Sequence, residues 1–218
     1  SVSGVGIFKS ITNTSGLITY IRDLRLSGVT ITGTGSVGTL FGSATTYATP
    51  YISNILLDSY VSGGTTVNNT ISGSSGTYIG GLFGTSSYSG DVRNIYVNNT
   101  TVTGGTYVGA VAGNSAGNAT NIHSAGGSVT GTGNYTGGLF GSLSGALATA
   151  DNTSPVAGSS NYVGGLAGYL GGGISDAYNT TSVSGSSYVG GLAGQTAGSS
   201  ITNVYTSGNI TATGSNVG

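Results

Sequence analysis

A seven-residue phrase returns along this chain: Tyr78-Ile-Gly-Gly-Leu-Phe-Gly84, Tyr107-Val-Gly-Ala-Val-Ala-Gly113, Tyr135-Thr-Gly-Gly-Leu-Phe-Gly141, Tyr162-Val-Gly-Gly-Leu-Ala-Gly168 and Tyr188-Val-Gly-Gly-Leu-Ala-Gly194. Its tyrosines stand 29, 28, 27 and 26 residues apart. A period in this range marks a stacked array, in which one unit is copied because it cannot bury its apolar face alone. Weaker copies extend the register: Ser36-Val-Gly-Thr-Leu-Phe-Gly42, Val5-Gly-Ile-Phe8 and Asn216-Val-Gly218. Eight phase marks bound seven units.

Two further phrases follow in each unit. The first reads Ile21-Arg-Asp-Leu24, Ile52-Ser-Asn-Ile55, Val92-Arg-Asn-Ile-Tyr96, Ala119-Thr-Asn-Ile-His123, Ile174-Ser-Asp-Ala-Tyr178 and Ile201-Thr-Asn-Val-Tyr205, and Ala146-Leu-Ala-Thr-Ala150 breaks it. The second sets a Val or Ile near a Gly: Val29-Thr-Ile-Thr-Gly33, Val102-Thr-Gly104, Val129-Thr-Gly131, Val156-Ala-Gly158 and Val183-Ser-Gly185. Three short apolar segments per unit, closed by Gly, Asn or Ser, predict three strands and three turns. Helices are nearly excluded, because 44 of 218 residues are Gly and no stretch carries a 3.6-residue apolar period. The expected fold is all-β: a right-handed parallel β-solenoid (β-helix) of about seven coils of 26–42 residues, with successive coils about 4.8 Å apart.

Within the glycine phrase, strict alternation would send Val163 and Leu166 to opposite faces. A corner at the Gly-Gly pair turns both inward. The next slot then varies in bulk (Phe41, Phe83, Ala112, Phe140, Ala167, Ala193), so core volume is shared between layers. Asp23, Asn54, Asn94, Asn121, Asp176 and Asn203 share one slot and are expected to form a structural ladder that satisfies turn amides. A calcium row would need more carboxylates. Tyr78, Tyr107, Tyr135, Tyr162 and Tyr188 form a second ladder. It either stabilises the coil from inside or, if exposed, presents aromatic surface to glycans or to neighbouring molecules.

The four-residue core of the phrase, Gly81-Leu-Phe-Gly84, Gly138-Leu-Phe-Gly141, Gly165-Leu-Ala-Gly168 and Gly191-Leu-Ala-Gly194, resembles the GLUG motif. That motif occurs in repeat regions of large secreted and surface-anchored bacterial or archaeal proteins, including adhesin-like proteins and the non-catalytic parts of some bacterial proteases. The resemblance spans the chain, although Ala110-Val-Ala-Gly113 departs from it and the first two units diverge. It implies a surface location and supplies no active site.

Composition points the same way. Cys, Met, Trp and Glu are absent and charged residues make up 4% of the chain, against around a quarter in an ordinary domain. There is no long apolar run, and Ser1 reads as a processed or excised start. Nine sequons, at Asn13, Asn68, Asn98, Asn99, Asn118, Asn134, Asn152, Asn179 and Asn209, are candidate N-glycosylation acceptors.

Catalysis needs convergent titratable groups. The inventory is Lys9, Arg22, Arg25, Arg93, Asp23, Asp58, Asp91, Asp151, Asp176 and His123. Asp23 and Asp176 fall in the Asn ladder, His123 replaces an aromatic residue, and Asp58, Asp91 and Asp151 lie in three different units. Asp91 and Arg93 read as a solvated pair. No phosphate loop is present, and a net charge of −1 offers no basic patch for nucleic acid. Thr-x-Thr segments of the kind that bind ice, such as Thr30-Ile-Thr32, Thr130-Gly-Thr132 and Thr211-Ala-Thr213, are not consistently repeated from unit to unit.

The expectation is therefore one solenoid domain over residues 1–218, with Ser1-Val-Ser-Gly4 and Gly218 lying inside the repeat, so that it is uncapped and continuous with a longer protein or with neighbouring subunits. Its expected role is an extracellular, cell-surface structural or adhesive protein that self-associates, as a filament subunit stacked end to end. The alternative is an adhesin stalk or glycan-binding module from a larger surface protein, with host or neighbouring cell surfaces as partners. No enzyme activity, cofactor, metal, nucleic acid or membrane span is expected. The irregular stretch from Ser43 to Thr77, with Pro50 and Asp58, is expected to project as a lateral contact or ligand site.

Overall fold

The computed structural model describes residues 4–12, 18–45, 49–73, 75–87, 90–198 and 200–218. The chain winds through seven coils, and three parallel sheets form the sides. One sheet, here the tyrosine sheet, stacks Tyr78–Gly80, Tyr107–Gly109, Tyr135–Gly137 and their copies. The glycine sheet stacks Phe83–Ser86, Ala112–Ser115, Phe140–Leu143 and their copies. The asparagine sheet is the longest side. In the middle coils it is a single bent strand, Val92–Gly104 or Ala119–Gly131, and later it divides into pairs such as Leu147–Asn152 and Val156–Gly158. Among the described residues there is no helix, and hence none long and apolar enough to cross a membrane.

Register follows the sequence repeat. Tyr78 pairs with Tyr107 and Tyr107 with Tyr135, while Ile95 pairs with Ile55 and Ile122. The inward columns form a continuous core, with Ile79, Leu82, Ile95, Val102 and Val108 fully buried. Phe41 and Phe83 stack at 5.1 Å and Ala112 takes the next level, so bulk varies from level to level along the column.

The Gly-Gly pair is the corner between the tyrosine and glycine sheets, and Val163 and Leu166 are both buried. Glycine is needed there for close approach rather than for positive φ. A Cβ on Gly81 would run into the carbonyl oxygen of Ala110 in the next coil, and one on Gly80 into that of Phe83.

Among the described residues of the irregular stretch from Ser43 to Thr77, only one part projects. Pro50 is buried in the strand Thr49–Asp58, opposite Thr19, and so belongs to the wall; Thr46, Tyr47 and Ala48 lie outside the described residues. The extra length sits at the corner between Leu57 and Asn69, where eleven residues replace the two between Val97 and Thr100. They form an antiparallel hairpin, Tyr60–Ser62 with Thr65–Val67, turned by Gly63 and Gly64 at φ 56° and 78°. Two consecutive positive-φ residues make the turn that matches strand twist.

Candidate functional site: the outer ladders

Outward side chains in identical slots stack into columns, and two columns carry the polar and aromatic chemistry of this protein. The first is the Asn/Asp slot. Asp23, Asn54, Asn94, Asn121, Asp176 and Asn203 all have φ between 51° and 60°. This left-handed backbone is costly for most side chains, and Asn and Asp tolerate it best. The residue type is thus set by a kink in the asparagine-sheet strand. The bonds run between exposed side chains from coil to coil, rather than to turn amides as the sequence implied. Asn54 Nδ2 donates to Asp23 Oδ1 at 2.8 Å, Asn94 Nδ2 to Asn54 Oδ1 at 2.8 Å, and Asn121 Nδ2 to Asn94 Oδ1 at 2.9 Å. Asp23 can only accept, so every amide above it is oriented the same way.

The fifth coil interrupts this ladder. Leu147 pairs with Ala119 and Ala150 with Ile122, which puts Thr149 in the Asn slot at φ 51°. A new segment starts above it, where Asn203 Nδ2 donates to Asp176 Oδ1 at 2.9 Å.

Two residues along, the same register stacks Tyr96, His123, Asp151, Tyr178 and Tyr205. Sequence reasoning set His123 and Asp151 apart; the structure joins them. His123 Nδ1 is hydrogen-bonded to Asp151 Oδ1, Nε2 meets Asn121 Oδ1 at 2.7 Å, and the ring stacks on Tyr96 at 4.7 Å. The signal was available, since aligning Leu147 with Ala119 and Ile174 places Asp151 in the aromatic slot. Both neighbours of the ring, the Asp151 carboxylate and the Asn121 amide oxygen, are oxygen acceptors. With both nitrogens engaged, the ring offers no free base to a substrate. The Asp151 carboxylate is the main cause that raises the Tyr178 hydroxyl above the usual tyrosine range, followed by burial and Tyr205. Arg93 and Asp91 form an ion pair, with Arg93 largely exposed. Among the described residues no three His, Cys, Asp or Glu side chains group as metal ligands.

The tyrosine column is continuous. Rings of Tyr78, Tyr107, Tyr135, Tyr162 and Tyr188 stack at 4.9, 4.9, 5.0 and 4.9 Å. The first four are half-buried and Tyr188 is exposed, so the column lies on the outside of the coil. Faces are covered by neighbouring rings, and the surface receives ring edges and hydroxyls. Burial, then the phenols of Tyr78 and Tyr135, hold the Tyr107 hydroxyl above its usual range.

The sequons divide. Asn68, Asn118, Asn134 and Asn209 are exposed, Asn98 and Asn99 are half-buried, and Asn13 lies outside the described residues. Asn152 and Asn179 are fully buried, which removes them as glycan acceptors in this fold. Their side chains close a corner: Asn152 Nδ2 donates to the Ser154 carbonyl at 2.8 Å and to Asn179 Oδ1 at 3.2 Å, and Asn179 Nδ2 donates to the Thr181 carbonyl at 2.9 Å. The Asn-x-Ser/Thr pattern at these two positions is turn chemistry.

The family model of the GLUG motif matches residues 185–211. That stretch is one full circuit, from Gly185 through Tyr188, Gly191-Leu-Ala-Gly194 and Asn203 to Thr211. The pairing registers above repeat the same circuit down the chain. No curated protein and no solved structure matches.

Proposed function

Since this chain is a GLUG-repeat β-solenoid, we propose that it is an extracellular structural element that associates with itself end to end, without catalytic chemistry of its own. The observation that carries this reading is the contrast between terminal and inner coils. Phe8 and Leu24 on the first coil are exposed, while Phe41 and Ile55, their partners one coil in, are buried. Ile201 is exposed on the last coil while Ile52 lies buried in its column, so a further coil, of a second copy or of a longer chain, would cover them. The outer edges of these strands also leave backbone donors and acceptors open, which template another strand.

Docked head to tail, a second copy sets Phe8 on Ala193, Leu24 on Val204 and Arg25 on Tyr205, which pairs large with small and a cation with a ring. Val217 bridges Val189 and so holds the slot that Val5 of the second copy needs; docking displaces one of the two. A head-to-tail contact of this kind does not close, and it gives a filament. The sparse charge supports a surface setting, and the chain, which has no Cys, is held by backbone ladders.

Glycan binding along the tyrosine column is the weaker reading, because sugars stack on ring faces and these faces cover one another. Sedimentation velocity over a concentration series tests the proposal. The wild-type chain grows into larger species and Ile201→Lys stays a single rod. Equal behaviour of the two, or a wild-type chain that remains single throughout, overturns it.

A further inference from the structure

The last side of each coil carries a pattern that the sequence conceals. One residue in each coil points inward here, and Ile31, Ile71, Val102, Val129, Val156, Val183 and Ile210 form one column. Each is flanked by two outward residues. In the first four coils these are Thr30 and Thr32, Thr70 and Ser72, Thr101 and Thr103, and Ser128 and Thr130, paired rung to rung. All eight carry a hydroxyl and six also carry a methyl. Ala157 in the next coil ends the array.

These hydroxyls differ from others on the chain. Thr100 Oγ1 donates to the Asn98 carbonyl at 2.9 Å, Thr132 Oγ1 to that of Gly104 at 3.2 Å, and Ser159 Oγ to that of Thr132 at 3.2 Å. Among the described residues the eight array hydroxyls have no partner within the chain. All eight side chains are exposed or half-exposed, and neither column contains a charge. The array is also a lattice in two directions. Coils repeat about every 4.8 Å along the axis, and residues two apart on a parallel strand lie about 6.6 Å apart.

A flexible polymer or a single small molecule needs matching in one direction at most. A rigid two-dimensional net of unpartnered hydroxyls interleaved with methyls matches a crystalline partner whose surface offers donors and acceptors at comparable intervals. We propose that this face binds ice. The hydroxyls substitute for lattice waters, and the methyls sit in the hollows between them. The inward Ile/Val column beneath holds the rungs flat and in register. The site lies on the side of the rod and does not depend on association through its ends.

The test is ice shaping and thermal hysteresis in a nanolitre osmometer, with the whole chain. The wild-type protein is expected to facet ice crystals and to open a freezing gap. Thr103→Tyr, outward at the centre of the array, is expected to lower that activity roughly tenfold by lifting neighbouring rungs off the surface. Thr120→Tyr, outward on the other half of the asparagine sheet, leaves it unchanged, and circular dichroism confirms that both variants stay folded. Round, unshaped crystals with the wild-type chain overturn the proposal. So does a Thr103→Tyr variant as active as wild type, or an equal loss in Thr120→Tyr.

Discussion

Replacing Thr149 by Asn should make this protein more stable, and the size of the gain follows from two features of one slot. Thr149 holds φ 51°, where a β-branched side chain is strained. A left-handed residue costs about 1–2 kcal/mol for ordinary side chains, and Asn recovers roughly half of that. The new amide also reaches toward Asn121 Oδ1, which already accepts from His123 and retains a second lone pair. An exposed side-chain bond adds about 0.5 kcal/mol. The expected gain is about 1–1.5 kcal/mol. If all seven coils melt together, an unfolding entropy of about 2.1 cal/mol/K per residue converts this to a rise of about 2–3 °C. The mirror experiment is Asn94→Thr, which imposes the same strain and removes two bonds, to Asn54 and from Asn121. It should lower Tm by about 4–6 °C, from a loss of about 2–3 kcal/mol. Differential scanning calorimetry reads both. An Asn94→Thr protein that melts with wild type, or a Thr149→Asn protein that melts below it, would refute the argument that backbone conformation selects this slot.

Three further outcomes follow from single positions. Thr136 is fully buried in a column between Val108 and Val163, and its hydroxyl has no partner, so Thr136→Val should stabilise by about 1–2 kcal/mol in a denaturant titration. A Cβ on Gly141 would lie 2.5 Å from the Val108 backbone nitrogen, so Gly141→Ala should cost about 3 kcal/mol or more, whereas Gly63→Ala, with open space around it, should cost about 1 kcal/mol for its positive φ alone. The hydroxyls of Tyr107 and Tyr178 titrate above the ordinary tyrosine value, so the fold favours their neutral forms. Their contribution is complete below the unfolded-state value of about pH 10 and is lost as pH rises through the folded values. Asp151→Asn should bring phenolate absorbance of Tyr178 in at lower pH and leave that of Tyr107 in place.

The period was enough to read the architecture, because a parallel coil maps sequence spacing directly onto register. Tyr78 sits beside Tyr107 for the same reason that the two phrases align. Inward positions were equally legible once Gly80 and Gly81 were taken as a corner. The slot of Asn54 and Asn94 was visible, but its cause was not, since a positive φ leaves no mark beyond the preference for Asn. Thr149 hid the slot for the same reason. His123 and Asp151 looked unrelated because each replaces a tyrosine with a different chemistry. The hairpin lies inside the irregular stretch from Ser43 to Thr77, but only the structure shows that the Gly63-Gly64 pair turns it while Pro50 stays in the wall. The hydroxyl net is broken in the sequence because Ser72 and Ser128 stand in for threonine between the rungs Thr30/Thr32 and Thr101/Thr103 and after them, and only the pairing of rungs restores the columns.

Electron microscopy of the purified chain at rising concentration tests most directly whether it works by axial self-association. Head-to-tail stacking predicts unbranched filaments one solenoid wide, with an axial repeat of about 34 Å for seven coils at the spacing of parallel strands. Short rods of that length at every concentration, or bundles that join side to side without growing along the axis, would contradict it.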